Sequence, residues 1–190
     1  MSSTLDSVHF HEGDKPGLVG EIVRWHGLYY VANQGWPAIF ESLCAEQLGE
    51  IAKHLGVRDD VAAFSAWEGD TFLASAVMDA RPGQRSDPRA GTRLRFFIAS
   101  DAARGRGIGS QVLSHALDWS QRRGDSLVWL TTVANLDASA HLYRKFGFTV
   151  VSEHVDRTWG SEHLEQLWER PSPAGALASI SRTPRHPPAG

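Results

Sequence analysis

The chain has 190 residues, enough for one domain with a sizeable core, and its 42% hydrophobic and 22% charged content is that of an ordinary soluble protein. A formal net charge of −3 argues against a nucleic-acid binder that works by neutralising phosphates, and no apolar run approaches the ~18–20 residues that cross a bilayer. A lone cysteine, Cys44, cannot form an internal disulfide, and no secretory leader pattern opens the sequence, so a cytoplasmic location and no membrane partner are expected.

Leu5 to His11 alternates as a first strand, and Glu12 to Gly17 is a turn cluster. Leu18, Ile22, Trp25, Leu28 and Tyr29 recur at helical spacing and predict a helix to about Val31. Asn33 to Pro37 breaks it. A second helix is predicted from Pro37 to Leu55, with Cys44 on its buried stripe as a packing residue. Val61–Trp67 and Thr71–Asp79 read as strands joined by the tight turn Glu68-Gly69-Asp70, followed by a long polar loop over 81–91. Thr92 to Ser100 is a further strand, Arg104 to Arg123 a helix, Leu127 to Val133 a buried strand, and Leu136 to Phe146 a helix ended by Gly147. Phe148–His154 and Thr158–Glu169 supply two last strands. From residue 171 onward five prolines in 20 residues predict a disordered tail, which leaves 5–170 as one domain. The nine histidines show no zinc-ligand spacing, so no metal is expected, and His9 and His11 read as a solvated strand face.

The most informative stretch is Arg104-Gly105-Arg106-Gly107-Ile108-Gly109-Ser110, set between the strand ending Phe97-Ile98-Ala99 and an amphipathic helix. Glycines clear side chains away from backbone N–H groups, and a helix start adds unpaired donors and a positive dipole end. The local physics is a diphosphate cradle to which Arg104 and Arg106 would add charge-assisted contacts. A P-loop would end in Gly-Lys-Ser/Thr, and this one has no lysine; a Rossmann fingerprint would need a βαβ unit with an acidic residue about 20 positions on.

The pattern Arg-x-x-Gly-x-Gly after an apolar strand resembles the acetyl-CoA loop of the GNAT N-acetyltransferases. Leu142-Tyr143-Arg144-Lys145-Phe146-Gly147-Phe148 resembles the block that ends the second core helix of that family. The resemblance spans Thr92 to Val151 by motif and residues 5–170 by element order. It implies a mixed, mostly antiparallel α/β sheet splayed at the acetyl-CoA site and flanked by helices, in the order β-αα-βββ-α-β-α-ββ. A narrower likeness, through Gly20–Tyr30, Leu94–Ile98, Trp159-Gly160 and Glu165-Gln166, is to GNAT domains joined to MarR-type winged-helix repressors, here without the regulator.

Acetyl-CoA is thus implied as acetyl donor, held by Phe97, Ile98 and Ala99, by Arg104 to Ser110 and by Tyr143, whose hydroxyl would protonate the departing thiolate. The family often has an asparagine seven positions before that tyrosine; here Leu136 stands there, with Asn135 beside it as either a cofactor contact or a helix N-cap. No glutamate occurs on Thr92–Ser100, so the candidate bases are His26 and Glu165, with Glu21 and Glu41 behind them. Glu21, Trp25, Arg95 and Trp159 are the expected acceptor contacts. Arg93 and Arg95 share a strand face and suit a substrate carboxylate, or else an ion pair with Asp79 or Glu68. The expected activity is N-acetylation of a small primary amine such as an amino acid. Acetylation of a protein N-terminus or lysine, and acyl-CoA sensing without turnover, are the alternatives. The resemblance also allows a homodimer.

Overall fold

The computed structural model describes residues 7–83 and 91–172. The expected tail beyond Ser172, the first four residues and most of the 81–91 loop lie outside them. The elements are β1 (Val8–Glu12), α1 (Leu18–His26), α2 (Ile39–Ala52), β2 (Val61–Glu68), β3 (Thr71–Asp79), β4 (Thr92–Ala99), α3 (Ile108–Arg123), β5 (Leu127–Val133), α4 (Asp137–Lys145), β6 (Thr149–Asp156) and β7 (His163–Pro171). Their order is the one the sequence predicts. Pro171, expected in the tail, closes β7 opposite Leu127.

One seven-stranded sheet runs β1-β2-β3-β4-β5-β7-β6, and every neighbouring pair is antiparallel except β4–β5. β2 and β3 are buried along almost their whole length because helices cover both faces. That is why Val61–Trp67 and Phe72–Met78 read as continuous runs of apolar and small residues instead of alternating. α3 sets Ile108, Val112, Leu113 and Ala116 on one face, joined by Ala140 and Tyr143 of α4. Leu18, Ile22, Leu48 and Ile51 from α1 and α2 cover the other. Each of the leucine, isoleucine and valine side chains among them contributes about 1.5–3 kcal/mol by leaving water.

The sheet opens in the middle. β4 and β5 pair only at Thr92–Val128 and Arg93–Trp129, so from Leu94 onward the facing edges have no strand partner. On the other edge of β4 the register with β3 slips between Ser75 and Val77, which leaves Phe96 and Phe97 opposite the single residue Ala76. Phe96 takes φ 48°, a left-handed conformation that costs an aromatic residue about 1–2 kcal/mol. The Ser75 hydroxyl donates to the Phe96 carbonyl at 3.1 Å and holds the bulge in place. The bulge turns β4 away from β5 and so makes the splay that the sequence leads one to expect.

Two helix limits differ from the prediction. The first helix keeps α geometry only to His26 and continues as a π-helical turn over Gly27–Asn33. The wider turn stacks Tyr30 on His26, with ring centroids 6.2 Å apart. The helix expected from Arg104 starts instead at Ile108, because Gly105 (φ 73°) and Gly107 (φ 72°) are left-handed and cannot enter an α ladder.

Candidate active site

Two features meet at the cleft between β4 and β5. The first is the start of α3. Its first ladder bond runs from the Gln111 N–H to the Gly107 carbonyl at 3.2 Å, so the amides of Ile108, Gly109 and Ser110 precede the ladder. No side chain caps the end, and nothing stands within 4 Å of where a Cβ on Gly107 would be. An uncapped helix end opening beside a splayed sheet fits an anionic diphosphate in chemistry and in access.

The arginines of the loop behave differently from expectation. Arg106 does not face that end freely. Its guanidinium donates to both Glu68 oxygens, at 2.8 and 3.3 Å, and to the Ala102 carbonyl at 3.2 Å. It ties the loop to the end of β2. Arg104 is exposed and pairs with Asp101 one turn back, at 2.8 Å. Asn135 is exposed in the turn before α4, whose N-cap position is Leu136, so the capping alternative fails and the side chain stays free to meet a ligand.

The second feature is a cavity of ≈ 110 Å³ below the bulge. Arg93, Arg95, Phe96 and Phe97 line it from β4, and Thr131 to Val133 from β5. His26, Tyr30, Trp36, Phe40 and Cys44 close it from the helices, Tyr143 from α4, and Trp159 and Glu165 from the β6–β7 hairpin. Of the expected catalytic and acceptor residues, Tyr143, His26, Glu165, Arg95 and Trp159 converge here. Glu21 and Trp25 do not. Glu21 pairs with Arg24 at 3.5 Å on the surface, and Trp25 packs on the α1–α2 core under the Arg24 guanidinium. The reason is helical phase: Leu18, Ile22 and His26 share the buried face, and Glu21 and Trp25 lie on the neighbouring one.

Sequence reasoning named neither Tyr30 nor Phe40 as part of an aromatic wall. Tyr30, Trp36 and Phe40 are mutually in contact with ring centroids 4.8 to 5.1 Å apart, Trp159 meets Phe40 at 5.4 Å, and His163 lies against Trp36 at 4.9 Å. Trp36 and Pro37 sit in what reads as a helix breaker, and only the tertiary fold brings that breaker to the β6–β7 turn. The turn is seated closely: a Cβ on Gly160 would lie 2.5 Å from Ile39 Cγ2 and 3.0 Å from Pro37 Cγ, at φ 84°. Gly160→Ala is therefore expected to destabilise the fold by about 1–3 kcal/mol and to shift Trp159, read by urea unfolding and tryptophan emission.

Burial sets the protonation states. Tyr143 is 5% exposed, its ring lies between Phe97, Phe148 and Trp168, and burial raises its phenol well above the ordinary range. Burial also pushes the Cys44 thiol up to about 12, so it stays protonated and acts as packing, as its place on the α2 stripe predicts. Arg95 is lowered to about 10 by burial and then by Arg93, and remains charged at neutral pH. It holds Gln47 and lies 3.9 Å from Asp79, whose close partner is Arg81 at 2.8 Å. Arg93 donates to Thr131 Oγ1 at 3.1 Å, stacks on Trp129, and has no carboxylate partner among the described residues.

His26 Nδ1 is 2.8 Å from the Ile22 carbonyl; a carbonyl only accepts, so Nδ1 carries the proton and Nε2 a lone pair. Desolvation lowers its pKa to about 4, against the backbone bond that raises it. A depressed histidine pKa penalises the protonated folded state. Stability is then unaffected above the unfolded value of about 6.5 and is lost as pH falls from there toward 4. The loss expected is on the order of 3 kcal/mol, and His26→Gln is expected to remove most of it in urea unfolding compared at pH 7 and pH 4.5.

Known proteins agree with this architecture. The profile of the Acetyltransferase (GNAT) family matches residues 25–148. A curated relative, the uncharacterized N-acetyltransferase YobR of Bacillus subtilis, is 31% identical over 61 residues, which are 32% of this chain and 25% of that protein. The fold is similar to yncA, a putative acetyltransferase from Salmonella typhimurium solved with its cofactor acetyl-CoA: TM-score 0.66, 16% identity, 87% of this chain and 94% of that one covered. It is also similar to a GCN5-related N-acetyltransferase from Kribbella flavida, with TM-score 0.68, 20% identity and coverage of 89% and 100%. Among the described residues no helix is long and apolar enough to cross a membrane. The chain belongs to the acetyltransferase (GNAT) family, the N-acetyltransferases that use acetyl-CoA.

Proposed function

We propose that this chain, through its 5–170 region, acetylates the primary amine of a small molecule that carries a carboxylate, an amino acid or a related metabolite. The observation that carries the acceptor class is the charge of the cavity floor. Arg93 and Arg95 line it, and the fully buried carboxylate behind them among the described residues, Asp79, has its close contacts with Arg81. Glu165 is the other carboxylate near Arg93, and it lies on the far wall. Buried guanidinium charge in excess of buried carboxylate favours an anionic ligand.

Acetyl-CoA supplies the thioester whose acetyl group is transferred. The free amides at the start of α3 hold the diphosphate, and the unpaired edge of β4 at Phe97, Ile98 and Ala99 holds the arm and the thioester carbonyl. Tyr143 keeps its proton because of its burial and gives it to the sulfur as the C–S bond breaks. Glu165 takes the ammonium proton before the N–C bond forms, and the second proton that the nitrogen sheds as the amide forms restores the Tyr143 phenol. His26 is the other candidate base; its Nδ1 is held by the Ile22 carbonyl and its ring shapes the wall beside Phe96. The aromatic wall packs the acceptor's apolar part.

Thiol release measured over amino acids and the matching amines without the carboxylate tests this reading. Wild type is expected to favour the amino acids, and Arg95→Ala to lose that preference by about tenfold or more. Equal rates on both substrate types in wild type would remove the carboxylate acceptor. Cofactor binding with no release on any amine would favour a sensor.

A further inference from the structure

Asp156, His163 and Glu165 meet on one face of the β6–β7 hairpin, at the rim of the cavity. His163 and Glu165 are two positions apart on β7, and Asp156 is the cross-strand partner of His163. One ligand atom from each lies within 4.8 Å of the others. The His163 side chain is only 6% exposed. Its Nδ1 is 3.1 Å from the Ser161 carbonyl, which can only accept, so Nδ1 carries the proton. Nε2 is then a bare lone pair, buried and without a hydrogen-bond partner.

What Nε2 faces is unusual. Its neighbour is Asp156 Oδ2 at 3.6 Å, another acceptor and too distant for a hydrogen bond. Asp156 is held in that orientation by the Thr158 N–H at 3.0 Å and the Thr158 hydroxyl at 2.8 Å. Glu165 brings a third acceptor, and its own neighbour is the half-exposed His154 at 3.6 Å. Lone pairs converging with no donor between them are unfavourable unless a cation sits among them. A second proton on His163 would leave its N–H without a hydrogen bond at 3.6 Å.

We propose that Asp156, His163 and Glu165 form a binding site for a divalent first-row transition ion, with Zn²⁺ the best fit. A tetrahedral ion with bonds of about 2.0–2.1 Å spaces its ligands about 3.4 Å apart, close to the 3.6 Å between His163 and Asp156. Imidazole with carboxylates suits Zn²⁺ or Mn²⁺, whereas Ca²⁺ and Mg²⁺ prefer oxygen ligands alone. The Ser161 carbonyl on Nδ1 and Thr158 on Asp156 are the supporting bonds that such ligands use to stay oriented. No periodicity in the sequence announces the site, because its members meet across a hairpin. Occupancy would withdraw Glu165 from the cavity and so compete with its role as base.

Titration of chelator-treated protein with ZnCl₂ by calorimetry, and with MnCl₂ by loss of the free-ion paramagnetic signal, tests the site. One ion per chain is expected, weakened about 10–100-fold in His163→Ala and again in Asp156→Asn, with His9→Ala unchanged. Circular dichroism checks folding, and Glu165→Gln gives a third ligand variant should Asp156→Asn unfold the turn. Absence of binding in wild type, or binding that His163→Ala leaves intact, would overturn the proposal. The readout needs no acetyl transfer, so its failure leaves the acceptor reading untouched.

Discussion

Tyr143→Phe is expected to lower kcat by about 100-fold while KM for acetyl-CoA changes only a few-fold, the pattern of a proton donor that acts only as the thiolate leaves. The substitution removes one oxygen and keeps the ring. Ring contacts to Phe97 (6.1 Å), Phe148 (5.8 Å) and Trp168 (5.9 Å) therefore persist. Burial is the cause of the raised phenol pKa, with no hydrogen bond in play, so stability should be unchanged. The sign of the pH effect follows: an acid whose pKa is raised keeps its proton to higher pH. Wild-type kcat should then not fall as pH passes about 10, where an exposed tyrosine ionises. Steady-state thiol release from pH 6 to 11 reads both effects. An unchanged kcat in the variant would assign the ring to packing alone.

Gly107→Val should weaken acetyl-CoA binding by at least about 100-fold by calorimetry, equivalent to ~2.7 kcal/mol. Two effects add. Gly107 sits at φ 72°, which a β-branched residue resists, and its Cβ would stand in the open space before the free amides of α3. Arg106→Ala should be milder. Its guanidinium is held by Glu68, so the variant acts first by loosening the loop. Glu68→Gln is expected to raise the KM for acetyl-CoA by a similar few-fold factor, and unequal effects would separate the pair from the cofactor.

Much of the fold was legible because its signals are local. Apolar runs bounded by Gly69, Gly124 and Gly147 mark strands and helix ends where the structure has them. The loop before α3 was legible as chemistry, though not as geometry: apolar periodicity cannot see that two glycines are left-handed, so the helix was drawn four residues too long. What was not legible depends on distant partners. Nothing beside Gly107 shows that Arg106 pairs with Glu68, 38 positions away. Glu21 and Trp25, expected on the acceptor side from the likeness over Gly20–Tyr30, share a helix with His26, and helical phase turns His26 alone of the three into the cavity. The places of Arg95 and Trp159 at the cavity were legible, the first from strand alternation and the second from the likeness carried by Trp159-Gly160. The bulge at Phe96 was not, since nothing in Phe96-Phe97 distinguishes a left-handed phenylalanine from a regular one.

The most direct test is a crystal structure of the chain with coenzyme A. The diphosphate should lie against the amides of Ile108, Gly109 and Ser110, the arm along the open edge of β4, and the sulfur within hydrogen-bond reach of the Tyr143 hydroxyl. A cofactor bound outside the β4–β5 cleft, or a sulfur on the far side of Phe97 from Tyr143, would contradict the account.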